Sequence, residues 1–238
     1  MFSSAGQLCI SIERLILHER VADEFLKVFV PRVKAMKLGA DLDWGNDMGS
    51  LISAEQLAKV TEHVDDAVAH GATVLAGGKA RPDLGPYFYE PTVLDGVQES
   101  MQVCRNETFG PVVSVYRVSS DAEAIAMAND TDYGLNASVW TRDTARGRRI
   151  GNRIRCGTVN VNEGYAAAWA SNGAPMGGMK QSGLGRRHGA EGIQKYTESQ
   201  NVTVQHGPGF AIPKGISQKT WARAMTAGLK VMKKAGLS

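Results

Sequence analysis

Apolar side chains recur along the chain with two spacings, one of three to four residues and one of two or fewer. The longer spacing is typical of helices that bury one face, and the shorter one is typical of strands. The first predicts helices at residues 20–37, 53–71, 120–129, 143–152 and about 187–195. The second predicts strands at residues 73–76, 92–94, 111–118, 137–140, 158–162 and 201–205. Because strands and helices alternate, the pattern predicts an α/β sheet covered by helices.

Two predicted helices begin at recognisable caps, and one long segment has no regular pattern. Ser53 with Gln56, and Ser120 with Glu123, have the spacing of a capping box, in which each side chain bonds the backbone N–H of the other residue. Residues 163–186 contain several glycines and few apolar anchors. We therefore expect a long loop there, of the kind that is functional or disordered.

The bulk composition is that of an ordinary soluble globular protein. Of 238 residues, 43% are hydrophobic and 21% are charged, and no apolar run approaches the ~20 residues that cross a bilayer. No signal peptide is visible. The three cysteines, Cys9, Cys104 and Cys156, are too few and too scattered for a disulfide framework or a tetrahedral zinc site. We expect a reducing, cytoplasmic setting and no bound metal.

Charge is divided unevenly along the chain. Residues 206–238 hold six basic residues and no acidic one, and subtracting these six from the net charge of +3 leaves −3 on residues 1–205. An acidic body argues against nucleic-acid binding. A Gly-Pro-Gly sequence at 207–209 marks a linker into this basic extension. Four apolar residues of the extension fall on one helical face: Trp221, Met225, Leu229 and Met232. Such a helix favours docking on the chain's own acidic body, and contact with a membrane surface or a partner is the alternative.

The first chemical signal is Cys9, at the end of the octamer that begins at Phe2. A cysteine is a nucleophile only as a thiolate, which needs a polar and partly open environment. Gly6 would let the backbone fold tightly beside the sulfur, and Gln7 would supply local polarity. On this octamer alone a buried, unreactive cysteine remains the commoner alternative, as it does for Cys104 and Cys156.

Two further segments carry chemistry-bearing residues. Asn106–Pro111 can present a carboxylate and an aromatic ring together before a strand, although a turn with a solvated glutamate is the plainer interpretation. Pro175–Arg186 is rich in glycine and resembles a dinucleotide fingerprint only superficially. In that fingerprint the third glycine follows the second by three residues, whereas Gly189 follows Gly185 by four. The segment also follows a loop, and the fingerprint follows a strand. We therefore reject it as a phosphate cradle.

Taken in order, the motifs resemble the aldehyde dehydrogenase superfamily over residues 1 to about 205. The ordered segments are Gly6–Cys9, Glu107–Val112, Asn129–Leu135, Gly157–Asn162, Pro175–Arg186 and Tyr196–Glu198. The resemblance implies an α/β catalytic domain at residues 1–197, an oligomerisation strand at 198–205 and a basic extension at 206–238.

The resemblance also implies a reaction and a set of site residues. Cys9 attacks an aldehyde to give a thiohemiacetal, hydride passes to NAD or NADP, and water releases the acid from the resulting thioester. Glu107 binds the nicotinamide ribose, Phe109 packs near the nicotinamide ring, and Tyr165 and Trp169 are candidate walls of the aldehyde pocket. The strand at 199–205 would pair with a second subunit, which makes a homo-oligomer the expected state.

The sequence departs from the family pattern at three points. The dinucleotide-binding half that precedes the cysteine in the family is missing from these residues, and with it the glutamate general base and an oxyanion-hole asparagine. Ser4 stands where the family usually has asparagine. Within the family the sequence resembles succinate-semialdehyde dehydrogenases, but Ser3, which stands where such relatives often have the arginine that binds the substrate carboxylate, argues against that assignment.

Three functional hypotheses remain open from the sequence. The chain is the catalytic half of an NAD(P)-dependent aldehyde dehydrogenase, a non-catalytic interaction subunit that uses its edge strand and tail, or a cofactor-independent cysteine esterase. Assays of NAD(P)H formation and ester cleavage, each repeated with Cys9→Ser, separate the three.

Overall fold

A four-stranded mixed sheet is the centre of the computed structural model, which describes residues 1–41, 44–206, 209 and 211–236. Its strands are β1 (Arg14–His18), β2 (Thr73–Ala76), β3 (Thr92–Asp95) and β4 (Val112–Val118), in the spatial order β1-β4-β3-β2. Strands β1, β4 and β3 run parallel, and β2 runs antiparallel to β3. The predicted α/β sheet is confirmed.

Helices pack on both faces of this sheet because successive strand residues point to opposite sides. In β3, Val93 belongs to an apolar cluster with residues of helix α1 (Glu19–Lys34). The next residue, Leu94, belongs to a second cluster with Val60 of helix α2 (Ala54–Ala69). All three of these side chains are fully buried. Removing each from water contributes about 1.5–3 kcal/mol, so α1 and α2 are held to the sheet chiefly by apolar burial.

The remaining elements of residues 1–197 are short. They are helices α3 (Gln102–Arg105), α4 (Asp121–Asn129), α5 (Thr144–Gly151), α6 (Ala166–Ala170) and α7 (Gly189–Gln194), and strands β5 (Tyr133–Gly134), β6 (Asn136–Val139), β7 (Thr158–Val161) and β8 (Met179–Lys180). Strand β6 pairs with β7 in parallel, and β5 pairs with β8 in antiparallel fashion. These two small sheets bring distant segments of the chain together.

In each of the two predicted capping boxes, only one of the two expected hydrogen bonds forms. The hydroxyl of Ser53 accepts a hydrogen bond from Gln56 N, and that of Ser120 accepts one from Glu123 N, each at 3.2 Å. The return bonds to the cap residues are absent from these described segments. Glu123 instead accepts from the backbone of Ser119, one residue earlier, and Gln56 bonds a different part of the molecule.

Three sequence predictions need correction. Strand β1 was not predicted, because its short apolar run lies directly before a strong helical pattern. The expected loop at 163–186 contains α6 and β8. Residues 201–205, expected to form a strand, make no ladder within the described chain, since a strand there needs an edge to pair with.

Residues 198–238 form a unit separate from residues 1–197. Its one described helix, α8 (Gln218–Lys234), begins at Ser217, whose hydroxyl accepts from Thr220 N at 3.2 Å. The helix expected in the basic extension is confirmed at Gln218–Lys234. The expected linker residues Gly207 and Pro208 lie outside the described residues. Within the described ranges, no helix combines the length and apolarity needed to cross a bilayer.

Candidate active site

Cys9 lies at the end of a backbone segment with an unusual conformation. A short 3-10 helix, Ser3–Gly6, precedes it, and three consecutive residues are left-handed, with φ of 54° at Ser4, 53° at Ala5 and 71° at Gly6. Left-handed geometry costs a non-glycine residue about 1–2 kcal/mol, so the surrounding packing must hold it. The segment ends with the Cys9 side chain exposed to solvent.

Gln7 ties this segment to the body of the protein. Its side-chain oxygen accepts from Ile52 N at 2.9 Å, and its amide nitrogen donates to Ser4 O at 3.1 Å. Gln7 therefore fixes the path of the loop, in addition to the local polarity expected from the sequence. The Cys9 N–H donates no hydrogen bond within the described part of the chain, which leaves it free for a ligand.

The nucleophile segment packs directly on the segment of Glu107 and Phe109. A Cβ added to Gly6 would lie 2.0 Å from Gly110 O, and one added to Gly110 would lie 2.4 Å from a methyl group of Val60. Real Cβ atoms essentially never come within 3.0 Å of another heavy atom. Only glycine fits at either position, and the two motifs form one packed unit.

Glu13, four residues after Cys9, holds the same partner segment by its backbone. Its carboxylate accepts from Thr108 N at 2.9 Å and from Phe109 N at 2.8 Å. Gln56 binds the opposite polar atoms, because its amide nitrogen donates to Thr108 O and Phe109 O, both at 2.9 Å. Burial raises the pKa of Glu13, and the two backbone N–H donors offset part of that rise.

His63 also supports this segment, through the side chain of Thr108. Its Nδ1 lies 3.1 Å from the hydroxyl of Thr108, and both side chains are buried. Burial lowers the pKa of His63, and the charge of Lys59 adds to the effect. The hydrogen bond between the ring and the hydroxyl, whose direction depends on the tautomer of His63, gives each of these two buried polar atoms a partner.

Glu107 and Phe109 are thus presented on a rigid backbone with their side chains available. Glu107 is exposed and its carboxylate makes no hydrogen bond or ion pair within the described ranges. Phe109 is half-buried and left-handed, with φ of 53°. A free carboxylate and a partly exposed ring fit the sugar hydroxyls and the apolar face of a nicotinamide riboside.

A second network joins the residue after Cys9 to the expected aldehyde pocket. The side-chain nitrogen of Asn136 lies 2.9 Å from Ile10 O and 3.2 Å from Gly164 O. Asn160, which is buried, donates to the Asn136 side-chain oxygen at 3.0 Å and to Gly164 O at 3.1 Å. These bonds set the nucleophile segment and the start of the 163–174 loop side by side.

The loop itself is ordered by a carboxylate at its start. Glu163 accepts from the backbone N–H groups of Gly164, Tyr165 and Ala166, and these bonds lower the pKa of Glu163. Negative charge at a helix start also favours the following α6. Tyr165 is half-buried, and Trp169 is 53% exposed. Both predicted pocket walls therefore lie on one short, capped helix segment.

The glycine-rich Pro175–Arg186 segment serves packing. Lys180 Nζ donates to Asn129 O and Thr131 O, both at 2.8 Å. A Cβ on Gly157 would lie 1.6 Å from Gly177 O. Three motifs distant in sequence therefore meet here, and their contacts are backbone-to-backbone or lysine-to-carbonyl.

Of the three cysteines, only Cys9 is exposed. Cys156 is buried with its thiol 3.2 Å from Thr158 O, and burial raises its pKa. Cys104 is half-exposed within α3. A nucleophilic thiol must be accessible to its substrate, and of the three cysteines Cys9 is the most accessible to solvent.

Besides His63 and Glu163, four more residues that support the site were not identified as such from the sequence. They are Glu13, Gln56, Asn136 and Asn160. Apart from the bond of Asn160 to Gly164 four positions on, their partners are 23 to 126 positions away, a separation at which no local pattern carries information. Only Gln56 had been singled out in the sequence, as the second residue of a capping box. Its side chain instead donates to the carbonyl oxygens of Thr108 and Phe109.

Replacing Glu13 by glutamine tests the carboxylate clamp. Glutamine keeps one acceptor oxygen and turns an N–H₂ group toward the second backbone donor, so one N–H loses its partner. We expect a loss of about 1–2 kcal/mol in the free energy of unfolding. Faster amide exchange should be confined to Thr108 and Phe109. The matched control is Glu24→Gln on the exposed face of α1, which should change neither quantity.

Comparison with known proteins identifies the family to which the chain is similar. The model described as the aldehyde dehydrogenase family matches residues 1–202. A Mycolicibacterium smegmatis protein is 58% identical over 233 residues, which cover 98% of this chain and 45% of the relative. A Schizosaccharomyces pombe protein named succinate-semialdehyde dehydrogenase (NADP+) 1 is 37% identical over 85% of this chain and 40% of its own length. The Mycolicibacterium smegmatis protein is also named a succinate-semialdehyde dehydrogenase (NADP+), and that name is provisional.

A solved structure agrees with these relatives. Betaine aldehyde dehydrogenase from Staphylococcus aureus, in complex with NAD+, superposes with a TM-score of 0.81 at 37% identity, over 90% of this chain and 42% of that one. The chain thus spans less than half the length of the proteins it matches.

Proposed function

The chain belongs to the aldehyde dehydrogenase family, and we propose that Cys9 is the nucleophile with which its protein oxidises succinate semialdehyde to succinate, using NADP+. The observation that carries the proposal is the packing of Gly6 on Gly110, by which the segment that leads to the exposed Cys9 meets the segment that follows Glu107 and Phe109. The names of the relatives support the substrate and the choice of NADP+ over NAD+.

In the proposed reaction, the Cys9 sulfur attacks the aldehyde carbon and the carbonyl oxygen becomes an oxyanion. The unengaged N–H of Cys9 can donate to that oxyanion, and one such donor is commonly worth about 3–4 kcal/mol in the transition state. Glu107 would hold the ribose next to the nicotinamide, and Phe109 would pack against its ring. When bound, NADP+ accepts a hydride from the former aldehyde carbon, which leaves a thioester on Cys9.

Release of the acid needs water and a base. By resemblance to the family, that base is a glutamate of the dinucleotide-binding half, outside residues 1–238. General-base help typically contributes 10²–10⁴-fold. We therefore propose that residues 1–238 contribute the nucleophile and one side of the nicotinamide site, and that turnover requires the other half.

An assembly experiment tests this division. We expect no NADPH from succinate semialdehyde when the purified 238-residue chain is assayed alone. Fusing it behind the dinucleotide-binding half of the smegmatis relative, in place of that protein's own matching segment, should restore NADPH formation. Robust NADPH production by the 238 residues alone, free of partners, would contradict the proposal.

Ester cleavage is the second candidate activity that the structure favours. An exposed thiol with an unengaged backbone N–H retains the nucleophile and one oxyanion donor for the acylation step of ester cleavage, which needs no cofactor. A slow hydrolysis of p-nitrophenyl acetate that disappears in Cys9→Ser would support it.

For assembly, we propose pairing through residues 199–205. Val202 and Val204 are 79% and 72% exposed, and the segment alternates polar and apolar residues without a ladder partner in the described chain. Such a segment could form a strand by pairing with the edge of a second subunit, which would also protect it from other pairings.

A further inference from the structure

Helix α8 carries its apolar and its basic side chains on different faces. At about 100° per residue, four apolar residues fall within roughly one quarter of its circumference: Trp221, Met225, Leu229 and Met232. The five basic residues of the helix fall together on the other side: Lys219, Arg223, Lys230, Lys233 and Lys234. The helix is therefore amphipathic, and cations dominate its polar face.

The apolar face is open over the second half of the helix. Leu229 and Met232 are 60% and 45% exposed, and Met225 is half-buried. Removing such side chains from water is favourable wherever another surface covers them. The exposed part of this face therefore favours contact with a further surface.

The cations of α8 are not neutralised within their own part of the chain. Residues 206–238 hold no aspartate or glutamate, so the extension carries six positive charges. The rest of the chain offers a weak net attraction, because its 24 acidic side chains are accompanied by 21 basic ones, the total of 27 less these six. Among the described residues, nine of those carboxylates lie within ion-pair distance of an arginine or histidine. A surface of higher negative charge density matches the helix better than the chain's own body, on which the sequence pattern alone favoured docking.

A bilayer surface that contains anionic phospholipids suits both faces of the helix at once. The apolar side chains of such a helix enter the boundary between headgroups and acyl chains, about 5–10 Å deep. The negative surface potential extends outward by about one Debye length, ~8 Å at physiological ionic strength, and a helix with its side chains is ~10–12 Å across. The basic face therefore still lies within that potential. A protein surface that covered the apolar face would leave the same cations pointing into water.

The length of α8 determines how it lies on such a surface. Its 17 residues span about 25 Å, which is less than the ~30 Å of a hydrocarbon core. Lysine and arginine side chains are also costly at the centre of a bilayer. The helix therefore lies in the plane of the surface.

We propose that α8 binds an anionic phospholipid surface, with Leu229 and Met232 toward the acyl chains and the basic face within the negative potential of the headgroups. The partner is a bilayer that contains acidic phospholipids. The inference is independent of the reaction proposed for Cys9, because none of the residues assigned to that reaction lies in α8.

Co-sedimentation with vesicles tests the proposal on the full 238-residue chain. One set of vesicles contains phosphatidylcholine with about one-third phosphatidylglycerol, and the matched set contains phosphatidylcholine alone. We expect at least about tenfold stronger binding to the anionic set, since each lysine near the surface contributes about fivefold. Raising NaCl from about 0.1 M to about 1 M shortens the Debye length to ~3 Å and should remove most of this preference.

Two uncharged substitutions test the apolar face. Leu229→Gln leaves the charge unchanged and should weaken binding to the anionic vesicles by about tenfold, because a leucine side chain then no longer enters the acyl boundary. Ala227→Gln is the matched control, since Ala227 is exposed and lies outside the apolar face. This variant should bind as wild type.

Two double variants test the basic face. Lys230→Gln with Lys233→Gln should weaken binding to the anionic vesicles by about tenfold or more and reduce its dependence on salt. Lys27→Gln with Lys34→Gln removes the same charge from exposed positions of α1 and should bind as wild type.

The outcomes decide the proposal in either direction. A wild-type chain that does not sediment with the anionic vesicles overturns it, and so does equal binding by Leu229→Gln and Ala227→Gln. Retention on polyglutamate-coated beads without vesicle binding would assign the basic face to an acidic protein surface instead. Circular dichroism shows whether each variant keeps its helix, and the two vesicle sets with the wild-type chain decide the proposal should a variant lose it.

Discussion

Cys9→Ser is expected to reduce NADP+-dependent oxidation of succinate semialdehyde by more than about 1,000-fold in the fusion with a dinucleotide-binding half. A serine hydroxyl is a far weaker nucleophile than a thiolate, and no described side chain bonds position 9 to activate it. The fold should be unaffected, because the Cys9 side chain is exposed and fills no core space. NADPH absorbance under saturating aldehyde measures the loss.

Cys104→Ser is the matched control for this variant. Cys104 is half-exposed in α3 and has no place in the site, so its replacement should leave the rate within about twofold of wild type. Activity that survives in Cys9→Ser, or that is lost in Cys104→Ser with the fold intact, would place the nucleophile elsewhere.

Gly6→Ala is expected to cause the largest loss of stability. The added methyl group would lie 2.0 Å from Gly110 O, and the residue must keep a φ of 71°. Left-handed strain costs about 1–2 kcal/mol and overpacking against backbone about 1–3 kcal/mol. We therefore expect a loss of about 2–5 kcal/mol in the free energy of unfolding, measured by urea titration.

Gly71→Ala separates the two causes. Gly71 also has a positive φ, of 100°, but nothing lies within 4 Å of the position of its added Cβ. Its replacement should cost only the strain, about 1–2 kcal/mol. Equal losses in the two variants would mean that the contact between Gly6 and Gly110 is not a tight one, and the link between the two motifs would lose its basis.

Local patterns in the sequence predicted most of the regular structure. Helix α2 was visible because its apolar residues follow the helical period and are buried accordingly, and strand β4 was visible because it is a run of β-branched residues. Strand β1 was missed because its apolar run lies directly before the long pattern of α1, with no glycine or proline between them. The shorter strands β2 and β3 were found because glycine- or proline-containing segments delimit them.

The candidate site was only partly accessible from the sequence. Cys9, Glu107 and Phe109 were found because they lie in ordered motifs that resemble a family. Glu13 could not be found in this way, since its role depends on backbone atoms 95 and 96 positions away.

The central claim is that Cys9 carries the substrate as a thioester, and acid quenching of the fusion protein during turnover tests it most directly. Succinate semialdehyde and NADP+ are mixed with the enzyme, the reaction is stopped with acid within its first turnovers, and the peptides are analysed by mass spectrometry. We predict a succinyl group on the peptide that contains Cys9, released by hydroxylamine as expected for a thioester. A catalytically active sample with no acyl group on Cys9, or with the group on Cys104 or another residue, would contradict the account.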